Sequence, residues 1–203
     1  AVEFDQARRL SQDASDAMAQ AGFYRLFVPE HLGGLEASPL ISAKIFERLA
    51  QGNAACGWVA FIAATSGSTL GSIPQDTART IFSHPNTMVA GVFAPSGKAT
   101  VKAGEVTVEG RWQWGSGTQN ADWILGGCLV DVGADKPSQH MILMPAKQVE
   151  FLDTWHVSGL QGTGSTDYEV KNLTLPDSHI VGYDGNRPPR TSLYQFPQFT
   201  LLA

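Results

Sequence analysis

Two stretches of this chain concentrate side chains able to do chemistry. The first is GRWQWGSGTQNADWILGG (110–127), where Trp112, Trp114 and Trp123, three of the chain's five tryptophans, surround Gly115-Ser116-Gly117. The second is GLQGTGS (159–165), three glycines interleaved with Gln161, Thr163 and Ser165. Concentrated tryptophan walls or stacks on a planar ligand, and glycine lets backbone N–H groups converge on an anion. Each stretch also has a purely structural reading. Trp112 and Trp114 would share one face of a strand and fill its core, and the glycine loop would be a strand connection built from turn residues. Taken together, and with Trp155 close by in sequence, the two loops point to a cofactor site.

The glycine loop fails both standard nucleotide patterns. A dinucleotide fingerprint is GxGxxG, leaves a strand and opens a helix. Here the order is GxxGxG, and the following STDYEVKNLTL alternates like a strand. No Gly-Lys-Ser/Thr phosphate loop is present. His31, His84, His140, His156 and His179 lack metal-ligand spacing, so no metal site is expected. No GxSxG or HExxH pattern occurs, and no carboxylate sits in an apolar stretch where burial would raise its pKa. Any chemistry therefore falls to a bound cofactor.

The elements that must position these residues change character near residue 86. Before it the period is helical. Phe4, Ala7, Leu10, Ala14, Ala17 and Ala21 predict one helix stopped by Gly22, and Ser38-Pro39 predicts a cap and first turn for a second helix ending at Gly52. Ala54–Leu70 reads as a buried helix, shorter and more polar than the roughly 20 apolar residues of a membrane span. A short helix follows from Pro74 through Phe82. Beyond Asn86 the pattern is strand-like: MVAGVFA, a hairpin around Lys102–Glu105, then ADWILGGCLVDV, HMILMP, VEFLDTW and DYEVKNLTLP. The expected fold is α+β: an all-α helical domain over 1–85, then a small β-barrel domain over 86–190. Residues 191–203 end apolar, where a further element should begin.

Composition narrows the partners. With 203 residues, net charge −5 and pI near 5.5, and no basic run, nucleic acid is not expected. Cys56 and Cys128 lie in apolar segments without a CxxC, which fits buried, reduced thiols in a cytoplasmic protein. No signal peptide opens the sequence, and no membrane partner is expected.

The series AGFYRLFVPEHLGGLE, AGVFAPSG, EVTVEGRWQWGSGTQNADWILGG and WHVSGLQGTGSTDYEVKNLTLP resembles the acyl-CoA dehydrogenase superfamily across essentially the whole chain. That family has a helical domain, a middle β-barrel and a C-terminal four-helix bundle, so the resemblance implies that this chain covers the first two. Within it, dehydrogenases usually carry Thr-Glu-Pro where Phe93-Ala94-Pro95 stands, and Trp-Ile-Thr where Trp114-Gly115-Ser116 stands. This chain looks more like the two-component monooxygenase branch, although Gln161 replaces an arginine common in its loop. The resemblance then implies reduced flavin (FMN or FAD) delivered by a separate flavin reductase. It also implies a C4a-hydroperoxide that hydroxylates a small-molecule substrate, aromatic or similar, and a homotetramer in the full-length form. Phe93 and Ala94 would lie along the isoalloxazine edge and Trp114 would wall the ring. Ser116, the catalytic residue, would act with the Ser116/Gly117 backbone near N5 and C4a. Trp155, Thr163, Gly164 and Ser165 would lie near flavin or substrate. The general base would belong to the bundle. The alternatives are an acyl-CoA dehydrogenase or oxidase with bound FAD, and a non-catalytic binding module.

Overall fold

The computed structural model describes residues 2–196, and the apolar run at 197–203 lies outside the described residues. Five α-helices precede every strand: α1 (Val2–Ala7), α2 (Gln12–Gln20), α3 (Pro39–Gly52), α4 (Ala54–Ser68) and α5 (Gln75–Ile81). The single helix expected over residues 4–21 is two. Arg8 takes φ 51° and ends α1, and Ser11 then caps α2 by accepting a hydrogen bond from the Ala14 N–H. A polar cap at an apolar spacing competes with continuation, and here the cap wins. Elsewhere local chemistry acts as expected. Ser38 caps α3 with Pro39 in its first turn, and the Asn53 side chain accepts from the Ala55 and Cys56 N–H groups to start α4.

Helix α4 is the centre of the helical half. Its sequence AACGWVAFIAATSGS has no polar face, and a helix apolar all round belongs in a core. The stretch Ala54–Ser72 is long and apolar enough to cross a membrane, yet 67% of it is buried inside the protein. Ala55, Val59, Ala60 and Ala63 pack against Leu10, Met18, Tyr24, Met88 and Ala90, which joins α2 and α4 to the first strand.

Six strands follow: β1 (Val89–Lys102), β2 (Glu105–Gly115), β3 (Trp123–Asp131), β4 (Ser138–Pro145), β5 (Glu150–Leu152) and β6 (Thr166–Pro176). They form one mixed sheet in the order β4-β3-β1-β2-β6-β5, with β1 and β3 parallel and the other neighbours antiparallel. Strand β1 runs well past the expected 88–94 because its second half pairs with β2 in the hairpin. Ala103 (φ 54°) and Gly104 (φ 83°) make the two-residue left-handed turn there. One face of the sheet encloses a core of Val106, Val108, Trp112, Ile124, Cys128, Ile142, Met144, Tyr168 and Ile180. Ile180, beyond β6, bridges back to Ile142 on the opposite edge strand and draws the sheet toward closure.

The loop GLQGTGS sits between this sheet and the helices. A β-carbon on Gly162 would lie 2.8 Å from Cβ of Phe4 in α1 and 3.2 Å from Cβ of Ala55 in α4. Neither contact is the free end of a flexible side chain, so glycine is what allows the approach. Gly159, in contrast, faces open space. Gly162→Val is expected to cost about 1–3 kcal/mol in urea unfolding through overpacking, with α1 losing hydrogen-exchange protection first. Gly159→Ala is expected to leave both measurements unchanged.

Candidate functional site

Strand β2 ends in a bulge. Its register with β6 runs Trp112↔Tyr168 and then Gly115↔Thr166, so regular pairing is lost over Gln113 and Trp114. Trp112 is fully buried, stacked on Tyr168 at 5.3 Å, and donates its indole N–H to the Gly127 carbonyl at 2.7 Å. Trp114 takes φ 63° and is 70% exposed. The expectation that these two tryptophans share one strand face is therefore corrected: Trp112 fills the core and Trp114 is turned outward. A positive φ is costly for a bulky residue and marks a position held by its surroundings.

The holding group is Asp167. It is buried, and its carboxylate accepts from Arg111 Nη2 at 2.7 Å and Nε at 3.2 Å, while its other oxygen faces the Trp114 N–H at 3.4 Å. Asp167 lies outside the apolar stretches of the sequence, and its burial shows only in the structure. Asp167 is placed beside the fully buried Tyr168, and Arg111 lies opposite Glu169 in the ladder.

After Trp114 the chain turns through Ser116 and Gly117 (φ 73°), where it meets the glycine loop. The Gly117 N–H donates to the Thr163 carbonyl at 2.8 Å, which stitches the two loops together. Their side chains form a hydroxyl row: Ser116 Oγ to Ser165 Oγ at 2.7 Å, Ser165 Oγ to Thr163 Oγ1 at 2.6 Å, and Thr163 Oγ1 to the Leu160 carbonyl at 2.8 Å. All three hydroxyl residues are buried. At the other end, Trp58 of α4 donates its indole N–H to Ser116 Oγ at 2.9 Å. Trp58 stays 43% exposed, and Leu160, another non-glycine at positive φ (54°), is 47% exposed. Three large apolar side chains (Trp58, Trp114 and Leu160) thus belong to the segments that carry the polar row.

Of the sequence-predicted residues, Ser116, Gly117, Thr163 and Ser165 are brought together by these bonds, with Trp114 two residues before Ser116. Trp155 is half-buried and donates its indole N–H to the Gln161 carbonyl, tying it to the start of the glycine loop. Gly164 is turned to the helical side, where a β-carbon would meet the Arg8 carbonyl at 3.1 Å. Phe93 and Ala94 occupy a second irregularity, where β1 shifts register against β3 between Val92 and Gly97. Their carbonyls lie over Gly127, and the Tyr168 hydroxyl accepts from the Val92 N–H at 3.0 Å beside them. Burial holds the Tyr168 phenol well above its usual pKa, so it stays neutral as it donates to the Leu125 carbonyl. Burial likewise pushes the Cys128 thiol up to about 12, keeping it an inert core group. At the rim, the Arg8 guanidinium holds the exposed Asp153 carboxyl below the usual range across a 2.6 Å contact, and also donates to the Trp155 carbonyl.

Sequence reasoning missed Trp58, Asp167 and Arg111. Trp58 lay hidden in an apolar helix, although a tryptophan with small neighbours on both sides is itself a signal. The Arg111–Asp167 pair spans β2 and β6 and became visible only with their register. A flat aromatic face, an apolar residue and a row of fixed hydroxyls are suited to a planar, heteroatom-rich ring, which is the fit a flavin requires.

Residues 1–74 match the family described as acyl-CoA dehydrogenase, N-terminal domain. Over 202 residues the chain is 33% identical to an indole-3-acetate monooxygenase of Pseudomonas putida, covering 99% of this chain and 52% of that protein. It is 30% identical over 186 residues to the flavin-dependent monooxygenase oxygenase subunit HsaA of Rhodococcus jostii, covering 90% of this chain and 48% of that one. The crystal structure of the HsaA monooxygenase from M. tuberculosis superposes with a TM-score of 0.90 at 27% identity, over 100% of this chain and 55% of that chain. The chain spans about half the length of the curated relatives it matches.

Asp167→Asn keeps the shape of the side chain and removes the charge that holds Arg111. Because the arginine is half exposed, the expected loss is about 1–2 kcal/mol by urea unfolding. Trp114, released from its carboxylate contact, is expected to show a fluorescence change that Arg111→Lys reproduces only in part.

Proposed function

From the match of residues 1–74 to the acyl-CoA dehydrogenase N-terminal domain and the likeness of the chain to about half of HsaA, we propose that the full-length protein is the oxygenase component of a two-component flavin monooxygenase. Its substrate in this reading is a small aromatic molecule. The observation that carries the reading is the β2 turn, where the outward indole of Trp114 and the anchored Ser116 hydroxyl lie two residues apart. The likeness to an indole-3-acetate monooxygenase and to a flavin-dependent monooxygenase oxygenase subunit supports the same assignment.

Bound reduced flavin, FMN or FAD, supplies the electrons that activate dioxygen. The chain's own residues bind and shelter it. Trp114 walls the ring, and Phe93 and Ala94 lie along its edge. Ser116 Oγ hydrogen-bonds at the reactive side, while the Ser116 and Gly117 N–H groups are already committed to the Trp114 and Thr163 carbonyls, and Ser165 and Thr163 hold that serine in place. Trp155 and Gly164 set the shape of the loop that carries them. Apolar Trp58 and Leu160 keep water from the reacting atoms. A separate reductase delivers the flavin, and the full-length protein works as a homotetramer in the cytoplasm.

The test supplies reduced FMN or FAD and 18O2 to the full-length protein with a panel of phenols and indole-3-acetate, and follows label in the product by mass spectrometry. One labelled oxygen per hydroxylated product is expected. Tightly held oxidised FAD that is bleached by an acyl-CoA, with no labelled product, would instead establish a dehydrogenase.

A further inference from the structure

On the outer side of the helical half, α3 carries charge where its apolar stripe should be unbroken. A helix turns about 100° per residue, so around its axis the residues run Leu40, Lys44, Arg48, Ile41, Ile45, Leu49. The face that docks on α4 lies beyond Leu49. There Ser42 is fully buried, and the Phe46 ring meets Phe61 edge-on at 5.5 Å. An amphipathic helix ordinarily sets its charges opposite its apolar stripe. Here two cations stand between Leu40 and Ile41, which are 69% and 56% exposed. With Phe23 from the turn after α2, residues Ile41, Lys44, Ile45, Arg48 and Leu49 line a groove of about 320 Å³. That volume falls at the lower end of the range for small-molecule pockets.

Neither cation is neutralised. Among the described residues no carboxylate forms an ion pair with Lys44 or Arg48. Arg48 directs Nη1 to the side-chain carbonyl of Gln51 at 3.0 Å, which is uncharged. Glu47 falls on the far side of Lys44 from the groove. Like charges four apart on a helix repel, and an anion seated between them turns that repulsion into two charge-assisted contacts. We propose that the groove binds a soluble carboxylate with one apolar chain. The carboxylate sits on Lys44 and Arg48, and the chain lies along Ile41, Ile45, Leu49 and Phe23. The two parts of the ligand answer two parts of the site. The apolar lining alone would hold an alcohol as well as an acid, and two exposed cations alone would hold little. A concave groove suits a single chain better than the flat surface of a membrane. The groove shares no residue with the loops that carry Trp114 and Ser116, so the inference is independent of the flavin reading.

Calorimetric titration of decanoate and of decan-1-ol into the full-length protein tests the proposal. One decanoate per chain is expected, held about tenfold more tightly than the alcohol because only the acid meets the two cations. Raising the ionic strength from about 0.05 to about 0.5 M is expected to narrow that gap, since exposed charges are screened. The double variant Lys44→Gln/Arg48→Gln is expected to hold decanoate no better than the alcohol. Ile41→Glu, which sets a carboxylate in the groove, is expected to weaken decanoate about tenfold or more. All three positions are exposed, so both variants keep the thermal unfolding midpoint of the parent. Equal affinity for acid and alcohol, or decanoate binding that survives both variants unchanged, overturns the proposal. So does a full-length protein that takes up no decanoate, or one that attaches to vesicles of anionic lipid while ignoring the free acid. Each of these outcomes leaves the flavin reading standing.

Discussion

One face of helix α4 meets both functional loops, and everything at the site depends on how closely it can do so. Ala55 lies against Gly162, Val59 against Gly117, and Trp58 between them bonds Ser116. Residues three and four apart on a helix share a face, so these three contacts follow from a single docking. A β-carbon at Gly117 would lie 2.9 Å from Met88 Cε and 3.2 Å from Val59, and Gly117 also holds φ 73°. Any larger residue there or at Gly162 separates sheet from helix and withdraws the indole from its serine. Gly162 and Gly164 of GLQGTGS therefore serve helix approach and chain reversal.

The docking also explains why strained backbone is tolerated on the outside of the site. Trp114 and Leu160 both sit at positive φ and both expose apolar side chains. Each strained residue has a fixed polar neighbour. The Asp167 carboxylate faces the N–H of Trp114, and the carbonyl of Leu160 receives the Thr163 hydroxyl and the Thr163 N–H. Strain of this sort persists where surrounding bonds over-determine the conformation. The bonds belong to the sheet side, so the apolar wall is in place before any ligand arrives, which is the condition for low reorganisation on binding.

Much of this could be read from the sequence, and the limits have physical causes. The change from helical to strand period near residue 86, the Ser38-Pro39 helix start and the Lys102–Glu105 hairpin are local signals, and local chemistry decides them. The association of Ser116 with Thr163 and Ser165 was also within reach through the resemblance. Alternation, however, predicted one face for Trp112 and Trp114, and a bulge of two residues separated them. A one-residue slip reverses the face of every following side chain, and nothing in RWQWG marks where the slip falls. Asp167 was hidden for the same reason, since its partner is fixed by register. Trp58 was hidden because its bond spans 58 residues between helix and sheet.

Hydroxyl rows are common at protein sites, but most leave the direction of their protons open. Here direction is imposed because each end is a group with a single role, an indole that only donates and a carbonyl that only accepts. Replace either end by a hydroxyl and the row could run both ways, leaving Ser116 equally able to give or to take. The two ends come from different parts of the fold, α4 and the turn before β6, so the polarity at Ser116 exists only when helix and sheet are docked. Docking, which glycine permits at two positions, thereby sets a chemical property of one oxygen atom.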